Sequence, residues 1–211
     1  MATSPSLATQ QLQLGVDSLY VSEGRNNLVS GGLGWISYDV SAAGINFGIW
    51  YAEGTGADYQ ETQFALGYTH AWTESLNLSA GINTVDAVDR TLADADIELS
   101  AAVTFTRGKF ESLIEAVYSR QFNGAYFTLA QSVEVHPTTR AFVRLGNNAG
   151  YVQGESRGPN NLDLGLTSSR QIVGNSLAIN WQISQTIALG ARPRDTLGDH
   201  LWVSISLKAQ F

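Results

Sequence analysis

The amino-acid sequence predicts an all-β protein: a closed antiparallel transmembrane β-barrel of about twelve strands, with ten or fourteen as the alternatives. Three observations carry this. The last twelve residues alternate strictly, with Leu201, Val203, Ile205, Leu207, Ala209 and Phe211 on one face and Trp202, Ser204, Ser206, Lys208 and Gln210 on the other. A period of two held this long is a strand with one apolar and one polar side. Charged residues make up only 15% of the chain, against about 25% in soluble domains. Yet mean hydropathy is near zero and no run of about 18 apolar residues exists, which excludes a transmembrane helix. Alternating lipid-facing and lumen-facing residues average out in this way. Finally, the links between alternating segments are short on one rim and long on the other.

Twelve segments follow in order, each with a lipid-facing set. Segments 10–22 (Leu12, Leu14, Val16, Tyr20), 28–41 (Ile36, Tyr38, Val40), 45–53 (Ile45, Phe47, Ile49, Tyr51) and 61–73 (Phe64, Leu66, Tyr68, Trp72) come first. Segments 76–85 (Leu76, Leu78, Ala80, Ile82), 95–106 (Ile97, Leu99, Ala101, Val103, Phe105), 110–121 (Phe110, Ile114, Ala116, Tyr118) and 125–135 (Phe127, Leu129, Val133, Val135) follow. The last are 139–146 (Ala141, Val143, Leu145), 161–169 (Leu162, Leu164, Leu166), 176–188 (Leu177, Ile179, Trp181, Ile183) and 200–211. Segments 28–41 and 125–135 alternate poorly in their first halves, which points to a bulge or a shifted boundary.

Every even-numbered link is short: Ala42–Gly44, Thr73–Ser75, Arg107–Lys109 and His136–Thr138, with 170–175 somewhat longer. The odd-numbered links Glu23–Asn27, Gly54–Gln60, Asp86–Asp94, Asn147–Asn160 and Leu189–Asp199 are longer and polar, with Phe122–Gly124 the short exception. This asymmetry is the outer-membrane barrel pattern, with both termini on the periplasmic rim. In that orientation Tyr20, Tyr51, Phe64, Tyr118 and Phe127 sit near the outer ends of their strands. Tyr38, Trp72, Phe105, Phe110 and Phe211 sit near the inner ends. Two aromatic girdles fit a bilayer; a soluble β-sandwich would instead concentrate its aromatics mid-strand. All four prolines fall outside the strands, as ladder hydrogen bonding demands.

The length suits one domain: residues 1–9 as a mobile lead-in too short to plug a lumen, and 10–211 as the barrel. Cysteine is absent, so there is neither a disulfide framework nor a thiolate metal site. A net charge of −7 with few lysines argues against a nucleic-acid partner. No charged-then-apolar leader stands at Met1, so the expected form is a mature chain whose signal peptide has been removed.

Predicted lumen positions are small: Gly15, Gly48, Gly67, Gly81, Gly146 and Gly165, with Ala65, Ser79, Ala102, Thr104, Thr167, Ser204 and Ser206. Twelve strands lie between a filled and an open barrel, so small inward groups and the lack of a plug predict a water-filled lumen. The inward charges Glu98, Glu111, Glu115, Glu134, Arg140 and Arg144 are the candidate selectivity residues. A turn symmetric about Pro137 sets Glu134 opposite Arg140. The alternative for these charges is a wall of salt bridges with no part in selectivity. Asp86, Asp89, Asp94 and Asp96 do not match an EF-hand pattern and read as a solvated acidic loop. Of three histidines only His200, beside Asp199, is placed for acid–base chemistry, and no G-x-S-x-G motif is present. The expectation is a cofactor-free, non-enzymatic channel for ions or small polar solutes. The alternatives are a structural or adhesive barrel binding an external partner through its long loops, and an outer-membrane lipid enzyme.

The alternation ending on Phe211 resembles the closing strand of small bacterial outer-membrane β-barrels. That resemblance implies recognition of the C-terminal strand by the insertion machinery, and outer-membrane lipid and lipopolysaccharide as surroundings. In size and strand number the chain is similar to the small twelve-stranded oligosaccharide porins. Their lumens are dense in arginine and this one is not, which speaks against an acidic-sugar solute. Leu19–Arg25 and Gly48–Tyr51 also resemble a family of uncharacterised exported barrels.

Overall fold

A computed structural model describes residues 8–28, 30–89, 92–152, 157–174, 176–189 and 199–211. Strands β1 (Thr9–Asp17), β4 (Leu33–Ala42), β5 (Ile45–Gly54), β6 (Tyr59–Thr73), β7 (Leu76–Asp89) and β8 (Leu92–Arg107) build half of the wall. Strands β9 (Phe110–Ser119), β10 (Gly124–His136), β11 (Thr139–Ala149), β12 (Gly158–Val173), β13 (Leu177–Ala188) and β14 (His200–Gln210) complete it. These twelve form one closed barrel in the order β1-β14-β13-β12-β11-β10-β9-β8-β7-β6-β5-β4. Two short strands, β2 (Val21–Ser22) and β3 (Arg25–Asn26), pair only with each other. No helix among the described residues is long and apolar enough to cross a membrane.

Closure is made by β1 on β14, with Gln11 opposite Gln210 and Asp17 opposite Ser204. The main chain of Phe211 exchanges hydrogen bonds with Gln10 at the end of this seam, the Phe211 N–H donating at 3.0 Å. Register fixes the faces. Leu14 lies opposite Leu207 and Ile36, while Gln13 lies opposite Lys208 and Ser37, so apolar side chains stay outside and polar ones inside. The short inner turns match their sequences: Ala43 and Gly44 join β4 to β5 with φ of 51° and 85°, the two left-handed residues of a type I′ turn.

The outer face is an apolar belt with Leu14, Leu66, Ile114, Leu129 and Ile205 each about half exposed, which a protein in water could not sustain. Tyr51 and Tyr118 stand at its outer edge and Tyr38, Trp72 and Phe211 at its inner edge, the last 73% exposed. Tyr38 donates to Gln10 Oε1 at 2.9 Å and Tyr118 to Asn123 Oδ1 at 2.7 Å, so each phenol satisfies its polar end where lipid gives way to water.

Tyr20 is a correction. The chain leaves the wall after Asp17, and Tyr20 turns inside against Trp50 and Tyr59. Segment 28–41 likewise joins the wall only at Leu33. Segments 76–85 and 95–106 extend into one long hairpin whose last pair is Asp89 with Leu92, so most of the expected loop 86–94 is strand. Asp86 points outward and Asp96 inward; the side chains of Asp89 and Asp94 lie outside the described residues. Residues 153–156 and 190–198 of two other long loops, and 1–7 of the lead-in, also lie outside them.

Ile205 packs on the lipid face between Val16 and Trp181. Ile205→Arg places a charge there, at a cost of about 2–4 kcal/mol near the midplane. Levels of heat-modifiable barrel in the outer membrane should drop, while the lumen-facing Lys208→Arg assembles normally.

Candidate functional site

The lumen begins with a departure from the wall. Residues 18–28 fold back into the barrel mouth as the β2–β3 hairpin, with Val21 opposite Asn26 and Ser22 opposite Arg25. The Asn27 N–H donates to the Tyr20 carbonyl at 2.8 Å and closes its base. At its tip Glu23 and Gly24 both have positive φ, 46° and 78°, again a type I′ geometry. Gly24 is also required for space: a Cβ there would lie 2.5 Å from Asn161 Cβ. The expected plug-free lumen is therefore corrected, because the first outer link occupies the mouth.

Both sides of the barrel hold this hairpin. A bulge after Gly146 in the β11–β12 register aims Asn160 and Asn161 together toward the interior, where both are buried. Asn160 Nδ2 donates to the Glu23 carbonyl. On the other side Tyr20 Oη donates to both oxygens of Glu61, at 3.3 and 3.1 Å. Beneath, Leu28 is buried with Leu33 and Ala52, and Trp35, Trp50 and Tyr59 pack around them. β12 and β6 each stand three strands from β1, in opposite directions around the ring. They face each other, so the hairpin bridges the full lumen.

A second inward segment joins it. Asn148 Oδ1 accepts from the N–H groups of Gly150 and Val152, at 3.1 and 2.9 Å. This turns Tyr151 inward onto Tyr126, and its hydroxyl donates to Glu98 on β8. The outer cavity between hairpin, β6–β9 wall and Tyr151 has a volume of about 540 Å³. Its charged lining is Glu23, Glu61, Asp96 and Glu98 against Arg25, whose Nη2 lies 3.9 Å from Glu23. Burial raises the Glu23 carboxyl above its ordinary range, and Arg25 opposes that shift. Burial first, and neighbouring carboxylates second, push the Tyr20 and Tyr151 hydroxyls upward. They stay protonated and serve as donors.

A smaller cavity of about 320 Å³ runs down the β4–β6 wall past Asp39, Gly48 and Ala65 and shares Tyr20 and Gln63 with the outer one. A third, of about 510 Å³, opens at the inner rim among Gln13, Trp35, Arg140, Gln182, Ser204 and Ser206.

The predicted lumen charges separate into two groups. Glu98 belongs to the outer cavity and accepts from Tyr151 and, at 3.3 Å, from Asn83 Nδ2. Glu111 and Glu115 lie on the inner face of β9 opposite Ser132 and Thr128. Glu134 stands opposite Arg140, yet Arg140 donates to Ser132 Oγ at 3.1 and 2.8 Å instead. Arg144 lies opposite Asp163 and extends over the Phe142 ring, 5.8 Å from its centre. Among the described residues the one ion pair within 4.0 Å is Arg25–Glu23. His200 sits at the outer end of β14 opposite Thr186, and Asp199 Oδ1 accepts the Ala188 N–H at 3.3 Å. No group of three or more His, Cys, Asp or Glu among the described residues is arranged to hold a metal.

Sequence reasoning missed Tyr20 as a lumen residue, and with it Glu23, Arg25, Glu61 and Tyr151. The alternation carried no signal for this, because Leu28 directly after the polar link reads as the start of the next strand. The inward glycines also mean something other than open space. A Cβ at Gly15 would meet the Trp35 ring, one at Gly146 the Tyr126 hydroxyl, and one at Gly165 lies 2.6 Å from Phe142 Cζ. Each glycine is the recess into which a neighbouring ring fits.

The fold is that of the bacterial outer-membrane porin barrels. The KdgM porin in complex with disordered oligogalacturonate superposes with a TM-score of 0.65 at 7% identity, over 96% of this chain and 99% of that one. The NanC porin gives 0.61 at 8% identity over 95% and 98%, and LpxR from Salmonella typhimurium 0.58 at 10% over 94% and 99%. No family model and no curated protein matches the sequence. Likeness at these identities defines the fold, and function is a matter for the lumen.

Because the Phe142 ring occupies the space at Gly165, Gly165→Leu overpacks the wall, at a cost of about 1–3 kcal/mol. The temperature at which the folded barrel converts to its slow-migrating unfolded form on detergent gels should fall.

Proposed function

We propose that this protein is a passive channel for ions and small polar solutes in the bacterial outer membrane. What supports it is a set of three cavities with polar groups in their linings inside a closed barrel: an outer one at the hairpin, a wall cavity sharing Tyr20 and Gln63 with it, and a separate inner one opening at the inner rim. Their lining of carboxylates, amides, hydroxyls and arginines suits hydrated solutes. The names of two barrels of like fold, the KdgM and NanC porins, agree with it. Glu98, Glu111, Glu115, Glu134, Arg140 and Arg144 are proposed to set its ion preference, since most of them keep their charge unpaired.

The lipid-enzyme reading has less behind it, because the Asp199 carboxylate beside His200 takes a main-chain N–H. An adhesive role would rest on the long outer loops, and residues 18–28 and 150–152 of two of these turn inward instead. The exported, mature chain is proposed to sit among outer-membrane lipid and lipopolysaccharide, with β14 as the strand engaged by the insertion machinery.

Purified protein in planar bilayers should give reproducible conductance steps. Arg144→Glu should shift its reversal potential in a salt gradient toward cations. Silence of the folded barrel at every voltage and pH would defeat the channel reading.

A further inference from the structure

The hairpin is the feature of this lumen that alternation alone does not generate. Its contacts come from strands on opposite sides of the ring, Asn160 of β12 on the Glu23 carbonyl and Glu61 of β6 on the Tyr20 hydroxyl. It therefore lies across the path of any solute rather than along one wall. It is a built element, with a main-chain hydrogen bond at its base, two left-handed residues at its tip, a glycine seated on Asn161 and an apolar foot at Leu28. The outer cavity and the β4–β6 wall cavity are both lined by Tyr20 and Gln63. Tyr20 belongs to the inward-folded segment and Gln63 to the wall, and both donate to Glu61, so strap and β6 are tied together where the two cavities adjoin.

We infer that the β2–β3 hairpin is a strap that sets the size limit of the lumen, and that Glu61 and Glu98 beside it make that narrow point prefer cations. This rests on the channel reading and specifies where its selectivity lies. The charge argument follows from the partners. Glu61 accepts from Tyr20, Tyr59 and Gln63, and Glu98 from Tyr151 and Asn83. All of these donors are neutral, so each carboxylate is held in place without losing its field. Arg25 stands beside Glu23 on the strap, which offsets that one carboxylate and leaves the two wall charges in the lining of the outer cavity. A narrow, partly desolvated passage lets such charges discriminate more strongly than they would in bulk water.

The test uses the full chain in planar bilayers. In the first variant residues 21–26 are replaced by Gly-Gly, with folding checked by heat-modifiable migration. In the second, Glu61→Gln and Glu98→Gln are combined. The third is Ser22→Cys; the native chain has no cysteine, so a bulky thiol reagent has a single target, and Ser22 lines the outer cavity. Strap excision should raise single-channel conductance more than about twofold, as expected when a narrow segment dominates resistance. The double Gln variant should lower the cation-to-anion permeability ratio without raising conductance. Modification of Ser22→Cys should cut the current even if the excised variant does not fold. Unchanged conductance after excision or after thiol modification, or an unchanged permeability ratio in the double Gln variant, would overturn the inference while leaving the channel reading intact. A wild-type barrel that is silent at every voltage and pH until the strap is removed would defeat the passive-channel reading and overturn the size limit, making the strap a plug. Silence of both folded forms rejects both readings.

Discussion

Everything in this molecule depends on closing the hydrogen-bond ladder in a solvent that offers no hydrogen bonds. In hydrocarbon an unpaired N–H or C=O costs several kcal/mol, so β1 must find β14, and pairing Gln11 with Gln210 through to Asp17 with Ser204 leaves no free edge. Closure turns the two faces of the sheet into two environments. One face meets lipid and takes Leu14, Ile114 and Ile205; the other encloses a lumen and takes Gln13, Glu115 and Ser206. The lumen is thus a consequence of closure, and its contents are free to vary once the outer face has met the bilayer's demand.

That division explains what was legible in the sequence. Within the bilayer the period of two is enforced on every strand, and the twelve wall strands could be placed from it. The Glu134–Arg140 pair stands as expected, but His136 pairs with Thr139, so the turn is not symmetric about Pro137 and a bulge between Glu134 and His136 restores the register. Beyond the bilayer nothing enforces the period. The β7–β8 hairpin runs on to Asp89 and Leu92 through acidic residues, and a strand with polar residues on both faces looks like a loop. Tyr20 misled for the opposite reason. Its parity continues from Leu12, Leu14 and Val16, but parity records only which way a residue points while the chain stays in the wall. After Asp17 it does not, and the left-handed pair Glu23–Gly24 turns it back inside.

Lumen volume could not be read from residue size either. Gly15, Gly146 and Gly165 lack side chains because Trp35, Tyr126 and Phe142 lie over them, so the bulk missing at one position reappears from the next strand. Dense packing is the normal state of a protein interior, and a partly filled barrel obeys it along its walls. The room that remains lies where small residues have no ring above them, as at Gly48 and Ala65 in the β4–β6 wall cavity.

The choice of partners then decides whether the lumen acts as a charged surface or a neutral one. Salt bridges would satisfy its buried charges and cancel them together. Instead Arg140 is held by the Ser132 hydroxyl and Arg144 lies over the Phe142 ring, while Glu61 and Glu98 are held by tyrosine hydroxyls and amides. Hydrogen bonds from neutral groups stabilise an ionised side chain and leave its net charge in place. The field therefore keeps its sign at each level: negative beside the strap, mixed where Arg140 and Arg144 share the inner wall with Glu134 and Asp163. The carboxylates Glu61, Asp96 and Glu98 line the outer cavity, while Arg140 and Arg144 stand lower on the wall.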